Sequence, residues 1–397
     1  MELIQDKLNA LQKKRSNLFN WRGQFTPEFV EYLLGNFTKK EDFVIDPFSG
    51  SGTVLQEAAR KNISAEGFDI NPSAYTMSKF FTFSNLDINQ RWELLNMFEL
   101  KLGVMLQTIN GERVYVENPD YREAYKNLIS FGENFKKKLD ESEIILLLNI
   151  LFISERHKTL TIKQSIFKSF IYLRNALLGL PHTKSEIKAS LHDAREIHHV
   201  VKNKADLILT SPPYINVFNY HQNYRGIIEV FDFDILKVAN SEFGSNRKNR
   251  GNRFRTVVQY AMDMEEAIRS FWEVLKPNAT LILVLGKQSN VRNTAFYNGQ
   301  LVMDIVNKMG GFEESKTLER QFTNKFGIAI KEDILIYRKT DNLNNDFYGK
   351  EIAQKHLELN LKNVNQDIKI DLEEAIKNID NISSSPLFNL KNVITNA

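Results

Sequence analysis

The sequence predicts an α/β fold, a doubly wound, mostly parallel sheet with a C-terminal β-hairpin, carrying a helical insertion. Three observations predict it. Short apolar runs at residues 43–45, 64–69, 189–191, 206–209 and 280–285 alternate with helical stretches, the first run stops at a Gly-rich turn that opens a helix, and residues 86–188 read as helices only.

The elements follow in order. Thr26-Pro27-Glu28 opens a helix with Thr26 as N-cap, Pro27 at the first helical position and Phe29, Val30, Leu33 and Leu34 on its apolar face. Phe43-Val44-Ile45 is the first strand, residues 46–52 the turn and 54–61 the next helix; residues 64–69 form the second strand and a helix begins at Pro72. After the insertion, strands resume at 189–191, 206–209 and, beyond the turn at 275–278, at 280–285; residues 326–330 and 333–337 are close enough to pair as the hairpin. These patterns divide the chain into 1–85, carrying the Gly-rich turn, the insertion 86–188, the returning α/β part 189–340, and a polar, Asn-rich tail 341–397 that is helical or partly disordered.

Composition excludes several classes. With 42% hydrophobic and 25% charged residues in 397, the chain has globular usage and a sizeable core. The formal net charge is only +3, so affinity for a polyanion must come from where the basic residues sit. No cysteine is present, which removes disulfides, thiolate metal sites and any Cys nucleophile, and fits a reducing cytoplasm. The start lacks the apolar core of a secretory signal, and the most apolar run, 144–153, is well short of the ~18 residues that span a bilayer. It reads as a buried helix, in a cytoplasmic protein with no membrane partner. The 7 histidines show no ligand spacing, so no metal is expected.

Two constellations carry chemistry. In Asp46-Pro47-Phe48-Ser49-Gly50-Ser51-Gly52-Thr53 the glycines allow a tight turn and close approach to a ligand, and the following helix points its N–H groups at the same place. Asp69 ends the next strand, with Ile70 beside it, where an acid can take both hydroxyls of a ribose. No Gly-Lys-Ser/Thr follows, so the turn is not a P-loop. The plainer reading is a turn whose glycines serve geometry alone, with Asp69 as a helix-cap partner.

The second constellation, Thr210-Ser211-Pro212-Pro213-Tyr214, directly follows an apolar strand. Two prolines fix φ and donate no N–H, which leaves the carbonyls of Ser211 and Pro212 as rigid acceptors suited to an amino group, while Tyr214 offers a face on which a base can stack. In isolation Pro-Pro-Tyr is an ordinary loop. Both constellations, however, fall where parallel sheets gather ligands, beyond the carboxyl ends of strands.

Together these segments resemble the DNA amino-methyltransferases, which modify cytosine N4 or adenine N6. Phe48, Gly50 and Gly52 match the Phe-x-Gly-x-Gly cofactor motif, and Ser211 to Tyr214 match the (Ser/Asn/Asp)-Pro-Pro-(Tyr/Phe/Trp) catalytic motif. Phe25 and Thr26 lie in a segment similar to the one that closes over the methionine part of the cofactor, Asp69 matches the ribose-binding acid, and Asp193 resembles the residue that contacts the adenine amino group. The resemblance implies a Rossmann-like methyltransferase fold, S-adenosylmethionine as cofactor, and double-stranded DNA with a flipped target base as partner, plausibly within a restriction-modification system whose endonuclease acts separately. Ser211 at the first catalytic position resembles the cytosine-N4 enzymes, whereas the order of the motifs, cofactor first, departs from their common arrangement.

Residues 244–255 carry Arg247, Lys248, Arg250, Arg253 and Arg255 and no acid, as expected of a segment that grips phosphate; a solvated basic loop is the plainer reading. Residues 156–185 are also acid-free. Carbon-5 methylation of cytosine is poorly supported, because it proceeds through a Cys nucleophile and the sequence has none. Adenine-N6 methylation, methylation of an RNA or protein amino group, and a non-catalytic nucleic-acid-binding role remain as alternatives.

Overall fold

The computed structural model describes residues 3–12, 14–109, 121–216, 220–245, 251–323 and 327–394. Its strands are β1 (Phe43–Asp46), β2 (Ser64–Asp69), β3 (Ile187–Leu191), β4 (Ala205–Thr210), β5 (Leu275–Gly286), a short ribbon β6 (Ser289–Val291) and β7 (Thr294–Phe296), β8 (Gly310–Thr323) and β9 (Ala329–Leu343). Seven of them form one sheet in the order β3-β2-β1-β4-β5-β9-β8. Pairing is parallel from β3 to β5, and β9 runs antiparallel to both β5 and β8.

Alternation along each central strand sends side chains to two cores. Leu207, Leu209, Ile282, Val284, Ile334 and Ile336 face one core, which the helix Pro27–Phe37 and the insertion share; Ile208, Leu281, Leu283, Leu285, Leu335 and Tyr337 face the other. The second core is covered by the helices Arg255–Val274 and Asn298–Met309 and by the tail helices Gly349–Asn360 and Gln366–Lys377, which bury Ile352, Leu357, Leu372 and Ala375. Between β2 and β3 stand the helices Ile88–Leu106, Tyr121–Lys136, Glu141–Ser154 and Ile162–Leu178. Glu141–Ser154 contains the apolar run read from the sequence, and Leu147, Ile150 and Leu151 in it are fully buried.

Three details differ from the sequence reading. The hairpin is formed by β8 and β9, so residues 328–337 belong to its turn and second strand and the first strand lies upstream; Phe326 lies outside the described residues. The turn at 275–278 is a bulge inside β5, where the register moves from Ala205↔Leu275 to Leu207↔Thr280 and Asn278 takes φ +62°. Thr26 does hold the N-cap position of its helix but makes no side-chain capping bond.

Candidate active site

At β1 the strand order turns, with β2 on one side and β4 on the other, and the loops leaving β1 and β4 open on one pocket. Gly50 and Gly52 take φ of +50° and +85°, a region that disfavours any side chain. A Cβ on Gly52 would stand 2.7 Å from Ser78 Cα and 2.8 Å from the Phe81 ring, so this glycine also lets the turn sit against the helix Pro72–Phe80. Ser49 N–H donates to the Phe68 carbonyl at 2.8 Å, and Gly52 N–H to the Ser49 carbonyl at 2.8 Å.

Asp69 ties the turn to the second strand. Its Oδ2 accepts from Gly50 N–H at 3.0 Å and its Oδ1 from Asn71 N–H at 2.8 Å, the helix-cap role that the plainer reading foresaw, while the residue still lines the pocket. Burial pushes its carboxyl up to about 6. Asp46 is buried more deeply and burial pushes it up to about 7, against the opposing pull of hydrogen bonds from Thr210 Oγ1 at 2.6 Å and Phe48 N–H at 3.2 Å. Ser49 Oγ is buried, lines the pocket and has no partner among the described residues.

The N-terminal segment forms the opposite wall. Asn17 donates through Nδ2 to the Phe25 carbonyl and to Thr53 Oγ1, both at 2.9 Å, and Ser51 Oγ donates to Gln24 Oε1 at 2.8 Å. Trp21 stacks on Tyr220 with ring centroids 6.2 Å apart. The structure thus brings Phe25, Asp46, Pro47, Phe48, Gly50, Thr53, Asp69, Ile70 and Asp193 to the pocket lining, but not Thr26 or Gly52. Asp193 is saturated: its oxygens accept from Arg195 N–H, Nε and Nη2 and from Phe388 N–H, at 2.7–3.0 Å. Four donors fill the lone-pair sites of a carboxylate, leaving none for an adenine amino group.

Ser211, Pro212, Pro213 and Tyr214 all line the same pocket. Tyr260 Oη donates to the Pro213 carbonyl at 2.9 Å, and Asn298 Oδ1 accepts from Ile215 N–H at 3.0 Å, so the loop is pinned at its far end. Among the described residues no donor reaches the carbonyls of Ser211 or Pro212. The Tyr214 ring packs on Gly286, where a Cβ would lie 2.6 Å from its Cε2, and its hydroxyl donates to Glu332 Oε1 at 3.1 Å. Burial, reinforced by the Glu332 carboxylate, holds the Tyr214 hydroxyl far above its ordinary range. Glu242, also in the lining, accepts from His221 N–H at 2.8 Å and Nδ1 at 3.0 Å.

Tyr260, Asn298, Glu332 and Glu242 escaped the sequence reading, since each reaches the site from a distant element and none stands in a motif. Of the basic segment, Arg247, Lys248 and Arg250 lie outside the described residues. Arg253 is exposed, whereas Arg255 opens the helix Arg255–Val274 and pairs with Glu374 of the tail. Among the described residues no group of three or more His, Asp or Glu is placed to hold a metal ion, and no helix is long and apolar enough to cross a membrane.

Residues 4–80, which include the Gly-rich turn and Asp69, match the N6/N4 family model described as DNA methylase. The chain is 29% identical over 118 residues to the Type II methyltransferase M.MjaII of Methanocaldococcus jannaschii, covering 30% of this chain and 20% of that protein. It is 22% identical over 305 residues to the Type II methyltransferase M.BsoBI of Geobacillus stearothermophilus, covering 60% of this chain and 57% of that one. These alignments therefore span less than two thirds of either relative. A solved SAM-dependent methyltransferase from Methanosarcina mazei aligns over 77% of this chain and 96% of its own at 12% identity, with a TM-score of 0.34, too low to bear on function. Residues 4–80, which hold the strand, turn and acid that build one wall of the pocket, are thus the part of the chain similar to the N6/N4 family of DNA methylases.

Proposed function

We propose that this chain transfers a methyl group from S-adenosylmethionine to the exocyclic N4 amino group of a cytosine flipped out of duplex DNA. The observation that carries the reading is the pair of carbonyls on Ser211 and Pro212 that no donor among the described residues reaches, held by a pinned double-proline turn that shares its pocket with the Gly-rich turn. When bound, the cofactor supplies a methyl group on a positively charged sulfur. The residues fit it: Asp69 faces the pocket as a ribose acceptor, Phe25, Phe48 and Ile70 give apolar walls, and Ser49 Oγ is a buried polar atom without a partner among the described residues. Asp46, Asp69 and Glu242 bring carboxyls to a site for a cation.

The amino nitrogen of a nucleobase is a poor nucleophile because its lone pair is delocalised into the ring. Carbonyl acceptors on its two hydrogens favour the pyramidal nitrogen that attacks the methyl carbon, and they become stronger partners as positive charge grows there. The cofactor, held by the Gly-rich turn and Asp69, would supply the methyl group and keep the electron pair of the carbon–sulfur bond, and the proton lost from nitrogen would pass to water. Tyr214 stacks on the base, and Arg247, Lys248 and Arg250 contact phosphate.

Ser211 at the head of the catalytic motif favours cytosine over adenine. Similarity to two Type II methyltransferases supports a DNA-modification role. Incubation with labelled cofactor and unmethylated genomic DNA, followed by nucleoside mass spectrometry, tests the reading. N4-methylcytosine is expected. N6-methyladenine would keep the mechanism and overturn the base, and label in RNA or protein but not in DNA would overturn the substrate class.

A further inference from the structure

One row of residues crosses three strands beneath the catalytic loop. Gly286 of β5 is in register with Glu332 of β9, and Glu332 is in register with Arg320 of β8. Residues directly opposite on antiparallel neighbours share a face of the sheet. Gly286 gives the Tyr214 ring its seat, and Glu332 Oε1 takes the Tyr214 hydroxyl at 3.1 Å. The other oxygen of Glu332 accepts from both Nε and Nη2 of Arg320 at 2.6 Å.

Arg320 is itself 2% exposed and lies over the Phe29 ring at 3.7 Å from its centroid, with Phe25 at 5.8 Å. A charge this well buried is held by its partner and the ring faces. The row therefore runs from the tyrosine through a carboxylate and a guanidinium to Phe25 on the cofactor side of the pocket.

We propose that Glu332, oriented by Arg320, is a positioning residue that fixes the plane of the Tyr214 ring, and hence the plane in which the target base is presented to the methyl donor. The proposal rests on the methyl-transfer reading above. Glu332 is not among the residues that line the pocket and acts through the tyrosine. A free phenol would let the ring turn about its χ angles, and a base stacked on it would leave the line of attack, a misplacement that costs on the order of 10- to 100-fold in rate.

The test is a double-mutant cycle on the full chain, with labelled S-adenosylmethionine and unmethylated genomic DNA. Glu332→Ala is expected to lower kcat about 10- to 100-fold with the KM and calorimetric Kd for the cofactor unchanged, while Glu332→Gln, which retains a hydrogen-bonding partner for the hydroxyl, recovers most of the rate. In a Tyr214→Phe background, Glu332→Ala should cost nothing further, because the hydroxyl it holds is gone. Full activity in Glu332→Ala, additive losses in the double variant, or equal losses in kcat and cofactor affinity would each overturn the assignment. If Glu332→Ala fails to fold, Tyr214→Phe decides instead: a kcat about 10- to 100-fold lower at unchanged cofactor Kd supports the assignment, and an unchanged kcat overturns it. A wild-type chain that labels no DNA overturns the functional reading itself, and this assignment with it.

Discussion

Thr210 Oγ1 donates a 2.6 Å hydrogen bond to Asp46 Oδ1, joining the last residue of β4 to the last residue of β1. Both groups are buried, and the bond crosses the boundary between the Gly-rich turn and the double-proline loop. It couples the geometry of the two loops to the ionisation of one carboxyl.

Thr210→Val keeps the shape of the side chain and removes the donor. Loss of a hydrogen bond to a buried acceptor costs about 1–3 kcal/mol, so the denaturation midpoint should fall with an unchanged slope, and the Asp46 carboxyl should move further up. Chemical unfolding followed by cofactor calorimetry checks both. An unaltered midpoint would mean that the two loops are held independently.

The pH dependence of cofactor binding follows from the two raised carboxyls. Burial holds Asp69 at about 6 and Asp46 at about 7, above the ordinary 3.8. Because the folded chain then binds more protons than the unfolded one, these groups make stability fall as pH rises from about 4 through about 7. A cationic cofactor favours the ionised forms, so its affinity should rise between about pH 5.5 and about pH 8, with protons released on binding below pH 7. Calorimetry in two buffers of different ionisation enthalpy measures the release; equal affinity and no proton release across that range would speak against a cation beside Asp46 and Asp69.

Tyr214→Ala should abolish most methylation while cofactor binding survives. Stacking of a base on an aromatic ring is worth roughly 1–3 kcal/mol, and the base so freed is also misplaced. Transfer to DNA measured at saturating cofactor gives the answer, and a variant that methylates at the wild-type rate would remove the tyrosine from the mechanism.

The basic segment should divide by function. Neutralising Arg247, Lys248 and Arg250 is expected to weaken DNA binding across sequences and to lower the salt slope by about one per lost phosphate contact. Arg255→Gln should behave differently, since its guanidinium is paired with Glu374, and a half-exposed pair of this kind is worth about 0.2–1 kcal/mol. A small loss of stability with an unchanged salt slope is the outcome to look for in titrations at several ionic strengths.

How far the sequence reached depended on how local each cause was. The strand, turn and helix from Phe43 to Lys61 were legible because a left-handed glycine, an apolar run and a helix start are decided by neighbouring residues. The rigid turn at Ser211 and Pro212 was legible for the same reason, two prolines fixing the backbone at that point. The first strand of the hairpin was not. β8 is the edge of the sheet and exposes Glu313, Glu314, Lys316 and Glu319, so it shows no apolar alternation from which a strand could be read.

By itself, then, the sequence determined the two loops that meet at the pocket and the order of the elements carrying them, since both rest on backbone preferences within a few residues. Only the tertiary structure decided what holds those loops. The Tyr214 hydroxyl finds Glu332, and Glu332 finds Arg320, through the register of β5, β9 and β8. Asp193 is filled by Arg195 and by the backbone of Phe388 in the tail, and Arg255 is drawn to Glu374. Such partners are chosen by which strands pair and which faces pack, and a charged side chain carries no local mark of whether it will meet solvent, a ligand or another charge.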